Sequence, residues 1–215
     1  MRKVKFKIKD PVSALTHFAG AVMSVVGLVF LINKATDYSI WHVVSLTTFG
    51  VSLILLYTAS TVYHTVVAGK KWEKLLRKID HMMIFVLIAG SYTPICLLAL
   101  RGPLGWSLFG SIWGLTAAGI VMKAVWMSAP RWLSTVIYVF MGWLIFIAFV
   151  PFKTAVSVAG VGLLLGGGLF YSTGAVIYGL KWPNFKGFGF HELFHVLILG
   201  GSLCHFIMMY EYLMP

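Results

Sequence analysis

The chain has 215 residues, of which 60% are hydrophobic and only 11% charged, with a mean hydropathy of +0.91. Soluble domains carry roughly 25% charged residues, so this composition excludes a soluble globular protein and predicts an integral membrane protein. A net charge of +11 would suit nucleic acid, but the cations sit between apolar runs near membrane boundaries, where orientation and anionic lipid explain them and nucleic acid is not a partner.

Seven apolar runs predict an all-α, seven-transmembrane helix bundle forming one domain over residues 1–215, with spans at roughly 12–33, 41–67, 79–100, 104–125, 131–151, 155–180 and 190–213. The basic tail Met1–Lys9 resembles the charged start of a signal peptide, but the run behind it is long and lacks a small-residue cleavage site, so it reads as a retained first helix. Asp10-Pro11 is a good helix start. The connections are short and polar or hold Gly and Pro, among them Asn33–Ser39, Gly69–Lys78, Arg101–Pro103 and Ser128–Arg131. Cys96 and Cys204 each lie inside an apolar run and predict no disulfide. The sixth span holds Gly160, Gly162, Gly166, Gly167, Gly168, Gly174 and Gly179. Close helix approach is the expectation there, and a kinked helix is the alternative.

Fourteen of the 17 Lys and Arg fall in the tail and the even-numbered loops. Arg2, Lys3, Lys5, Lys7 and Lys9 precede span one; Lys70, Lys71, Lys74, Arg77 and Lys78 follow span two; Lys123, Arg131, Lys181 and Lys186 flank the fourth and sixth loops. Lys34, Arg101 and Lys153 stand opposite. The positive-inside rule then puts the amino terminus in the cytoplasm and, with seven spans, the carboxyl terminus outside. The expected location is the cell membrane, multi-pass.

That orientation gathers chemistry in one leaflet. His191-Glu-Leu-Phe-His195 opens span seven, and residues four apart share a helix face. His64 closes span two with Ser60 one turn earlier, while Asp80 and His81 open span three. His64, His191 and His195 make a plausible zinc set of three protein ligands with one open position, as in catalytic sites. Asp80 is then a general base or the partner that orients a ligand histidine, and Ser60 an oxyanion donor. The competing assignments are ordinary ones. Asp80 pairs with a nearby cation, and Ser60 bonds its own helix carbonyl. His42 bonds a neighbouring helix. His205 lies about 15 Å beyond His195 along the helix and is structural. His81 faces roughly 100° from Asp80 on the same helix and is not a ligand, and Asp10 and His17 are an interfacial residue and a cap.

At these residues the sequence resembles the hemolysin III family, grouped with the progestin and adiponectin receptors and the alkaline ceramidases. Ser60-Thr-Val-Tyr-His64 followed by Asp80 is similar to that family's motif across spans two and three, and His191–His195 to its last-span pair. Asp10-Pro-Val-Ser-Ala-Leu-Thr-His17 resembles the first motif, with aspartate in place of glutamate and serine in place of asparagine. The resemblance implies seven helices around a zinc ion held by three histidines near the cytoplasmic side, and in ceramidase relatives an aspartate and a serine assist hydrolysis of a lipid amide.

The leading expectation is therefore a zinc-dependent hydrolase of a ceramide-like amide or ester, with membrane lipids as partners and substrate. The alternatives are a non-catalytic zinc-clamped sensor of membrane homeostasis and a pore-forming hemolysin. An intramembrane metalloprotease is a further enzyme reading, because His191–His195 spells H-E-x-x-H with Glu192 as base.

Overall fold

The computed structural model describes residues 8–126 and 128–214, with the backbone alone at Arg131. The tail cations Arg2, Lys3, Lys5 and Lys7 lie outside the described residues. The helices are α1 (Pro11–Ala35), α2 (Ile40–Thr65), α3 (Lys70–Pro94), α4 (Pro103–Val125), α5 (Arg131–Trp143), α6 (Phe149–Ala155), α7 (Val158–Leu180) and α8 (Phe190–Tyr212). A π-helical turn, Ile95–Ala99, continues α3, and a 3₁₀ turn, Leu144–Ala148, joins α5 to α6. Seven segments are long and apolar enough to span a membrane, as predicted. Helices α1 to α4 pack in chain order, α7 packs on α8, and α8 returns to α1 and closes the bundle.

The sidedness of α1 shows how such a sequence packs in lipid. Leu15, Phe18, Val22, Val25 and Val29 are exposed, while Ser13, His17, Gly20, Ser24 and Gly27 are buried. The small residues are what allow contact: a Cβ at Gly20 would lie 2.9 Å from the Tyr57 ring, and one at Gly27 2.9 Å from Phe206. Without a hydrophobic drive between helices, such close approach supplies the association energy. Leu53, Leu56 and Tyr57 on α2, with Met208 and Met209 on α8, fill the centre.

Two predicted boundaries are corrected. The basic stretch Gly69–Lys78 was expected to be a loop, but Lys70 onward is already helix and α3 projects beyond the apolar band. Lys, Glu, Leu and Arg are all good helix formers, and no Gly or Pro interrupts them before the apolar part begins. The predicted ends at 151 and 155 move to Ala155 and Val158. Within that fifth span the helix is broken by the 3₁₀ turn because Pro151 has no N–H to donate and crowds the preceding turn. The Tyr92 hydroxyl repairs the break. It accepts from Ile145 N–H at 2.8 Å and donates to Gly142 O at 2.8 Å. Pro94 acts likewise in α3, where the π turn follows it.

The glycine-rich sixth span is a continuous helix, and it approaches α8 closely at its glycines, as expected. A Cβ at Gly167 would stand 2.3 Å from the His205 ring. Glycine there lets α7 and α8 lie close enough for the His205 Nε2–H to donate to Leu164 O at 3.2 Å.

Candidate metal centre

The last turn of α2 and the first turns of α8 meet at the basic end of the bundle. His64, His191 and His195 each offer a ligand nitrogen there, all within 4.8 Å of one another. His64 Nε2 and His191 Nε2 stand 3.3 Å apart. Two imidazoles on one tetrahedral zinc, at Zn–N near 2.0–2.1 Å, place their nitrogens about 3.3–3.4 Å apart. His64 and His195 are buried, and His195 Nδ1 has no hydrogen-bond partner. Leaving such a group dry and unpaired costs about 1–3 kcal/mol. The donor set, its spacing and its burial therefore fit a zinc ion.

The group that orients His64 is Asp10. The His64 Nδ1–H donates to Asp10 Oδ2 at 2.9 Å. That bond selects the tautomer in which Nε2 carries the lone pair and faces His191. Asp10 was read from the sequence as an interfacial helix start, but its side chain makes no cap to α1. Its backbone N–H also donates to His64 O at 2.9 Å, which docks the entry of α1 on the end of α2. Lys9 secures that entry: its Nζ lies 2.8 Å from Glu73 and 3.9 Å from the centre of the Tyr63 ring. Partial burial works against the Lys9 charge, but its hydrogen bonds to Glu73 and Tyr63 outweigh this and hold the ammonium above its ordinary pKa.

Asp80 lies near Ser60 on the wall of the cavity that His191 and His195 share. The Ser60 hydroxyl lies within interaction range of the Asp80 carboxylate, from α2 to α3. Among the described residues Asp80 does not join the candidate ligand group.

His17, read from the sequence as a cap, is instead a neighbour of the site. It is buried and stacks on His195 with ring centroids 3.7 Å apart. It lies seven residues after Asp10, two helical turns on, so the pair shares a face and both reach the centre; that spacing was the available signal. Among the described residues the remaining histidines do not join the candidate ligand group. His81 Nδ1–H donates to Arg77 O at 2.9 Å. His205 bonds a neighbouring helix, as expected. His42 also reaches a neighbouring helix, at the Leu213 backbone that ends α8, while its Nδ1 stands 2.8 Å from Ser39 Oγ at the start of its own helix. Glu192 accepts the Gly189 N–H at 2.8 Å, a capping interaction that turns its carboxylate toward the helix start.

A cavity of about 290 Å³ extends from this centre into the bundle, lined by apolar residues such as Leu56, Ile88, Leu164 and Ile198. A polar, histidine-rich mouth and an apolar interior suit an amphiphile.

The family model described as Haemolysin-III related matches residues 6–206. The chain is 43% identical to the "Hemolysin-3 homolog" of Bacillus subtilis (strain 168), over 94% of this chain and 93% of that protein. It is 39% identical to "Hemolysin-3" of Bacillus cereus, over 100% and 96%. It is also 27% identical to the "Monocyte to macrophage differentiation factor" of Homo sapiens, over 92% and 82%. The chain therefore belongs to the haemolysin-III-related family and is a multi-pass protein of the cell membrane.

Proposed function

We propose that the protein is a zinc-dependent hydrolase of membrane lipids, acting on an amide or ester at the cytoplasmic leaflet. The observation that carries this reading is the convergence of His64, His191 and His195 at the mouth of an apolar cavity that also receives Asp80 and Ser60. Bound there, zinc supplies Lewis acidity and a nucleophile at neutral pH. His64, His191 and His195 hold it, and Asp10 keeps His64 in the binding tautomer. Asp80 accepts the proton released during attack and returns it to the leaving group. Ser60, which lies near the Asp80 carboxylate, can turn its hydroxyl to an oxyanion as charge develops. The apolar cavity binds the acyl chain and excludes water from it. The basic end of the bundle faces the cytoplasm in this proposal, so the substrate enters from the inner leaflet.

The test begins with elemental analysis of purified protein and of His64→Ala, His191→Ala and His195→Ala. About one zinc per wild-type chain, lost in each variant, is the expected result. Zinc-loaded protein is then incubated with long-chain ceramides and phospholipids, where fatty acid release that falls in Asp80→Asn with zinc retained supports the assignment. A protein that carries no zinc, or that carries zinc and releases no fatty acid from any of these lipids, refutes it.

A further inference from the structure

The basic end of the cavity holds more positive charge than the fold neutralises. Lys123, near the end of α4, is buried at 4% exposure and lines the cavity together with Arg77, His81, Asp80, Ser134 and Tyr138. Its ammonium donates to the neutral Ser134 hydroxyl of α5. Among the described residues the ion pairs are Lys9 with Glu73 and His64 with Asp10, so no carboxylate pairs with Lys123. Arg77 lies close enough to Lys123 to repel it, and both cations lie within electrostatic reach of His81. His81 offers no negative charge, and among the described residues the Asp80 carboxylate on the same cavity wall forms no ion pair with Lys123 or Arg77.

A buried ammonium beside a second cation is costly unless an anion accompanies it. Arginine and lysine together are the usual receptors of a phosphate group, the first through its planar fork and the second as a point charge. The basic mouth adjoins the histidine centre, since Lys123, Arg77 and His81 line the same cavity as His191 and His195. A ligand seated on these cations therefore presents its neighbouring atoms to the histidines and its chain to the apolar interior.

We propose that Lys123 and Arg77 form a seat for a phosphate group, so that the lipid taken into the cavity carries a phosphate monoester or diester close to its acyl carbonyl. This rests on the lipid reading above for the choice of ligand, while its readout is binding rather than turnover. Ceramide and diacylglycerol, which lack the anion, then bind less well than their phosphorylated counterparts.

The experiment uses the full chain in detergent micelles and measures binding of a short-chain phosphatidic acid and of the diacylglycerol with the same chains. Wild-type protein is expected to prefer phosphatidic acid at least tenfold. Lys123→Met, which keeps length and loses charge, is expected to abolish most of that preference. Arg77→Gln, at an exposed position where folding is not in question, is expected to reduce it several-fold. Ser134→Ala removes the tether between α4 and α5 but leaves the cation, and is expected to retain the preference. Inorganic phosphate is added as a competitor: competition in wild type that is absent in Lys123→Met identifies the free anion as sufficient, and no competition identifies the lipid-borne phosphate as the ligand, either being compatible with the seat. Equal preference in wild type, Lys123→Met and Arg77→Gln overturns the proposal. So does a loss in Ser134→Ala as large as in Lys123→Met, which would make Lys123 a structural tether. The His64→Ala variant separates the two readings, because it is expected to lose hydrolysis and keep the headgroup preference.

Discussion

Replacing Asp10 is the sharpest test of the metal centre, because Asp10 is not one of the candidate ligands. In Asp10→Ala the His64 Nδ1–H loses its acceptor, while the backbone bond from residue 10 N–H to His64 O is available to keep α1 docked. Removing the outer partner of a metal-binding histidine typically costs about 10–100-fold in metal affinity, or roughly 1.4–2.7 kcal/mol. The Asp10 side chain keeps 39% of its surface exposed, so solvent screens part of its charge and the lower end, about tenfold, is expected. Asp10→Asn retains an acceptor of the same shape without the charge. Neutral hydrogen bonds are about half as strong as charge-assisted ones, which predicts a loss of about threefold. Zinc content is measured on purified protein equilibrated with graded chelator at fixed pH, and the order wild type, Asn, Ala should appear in the chelator concentration that removes half of the metal. An Ala variant that retains zinc as tightly as wild type would show that the 2.9 Å bond does not orient the ligand, and the account of His64 would fail.

Glu192→Gln should leave zinc retention and hydrolysis within about twofold of wild type, because Glu192 is engaged by the Gly189 N–H and a glutamine can also accept it. Loss of activity at unchanged zinc would instead move the base to Glu192 and favour the protease reading. Tyr92→Phe should lower stability by about 1–3 kcal/mol, since Ile145 N–H and Gly142 O lose their shared partner inside the broken fifth span; thermal unfolding in detergent measures this, and an unchanged midpoint would mean that water serves instead. A reporter enzyme active only outside the cytoplasm should function when fused to the carboxyl terminus and fail at the amino terminus. The reverse pattern would place the histidine centre at the outer leaflet.

Much of the candidate site was legible because the periodicity of helices is local. His191 and His195 share a face by spacing alone, and Ser60 and His64 do so on α2. Charge distribution then brought these helix ends to the same side, which was enough to name the three histidines, Asp80 and Ser60. Asp10 could not be assigned in the same way. Its role depends on how α1 enters against α2, a contact between residues 54 positions apart, and an aspartate before proline reads equally well as a helix start. Lys123 was likewise counted as a topology signal, since nothing local says that a lysine near a helix end will be covered by α5 and face a cavity.

By itself the amino-acid order determined the seven spans, the basic and non-basic ends, and the face each histidine occupies, because hydrophobic length and helical pitch are properties of short segments. Tertiary structure decided which group each carboxylate lies beside: His64 for Asp10, Ser60 for Asp80, and its own helix start for Glu192. Hydrogen bonds and ion pairs act over about 3 Å, and only the packing of helices against one another sets distances on that scale.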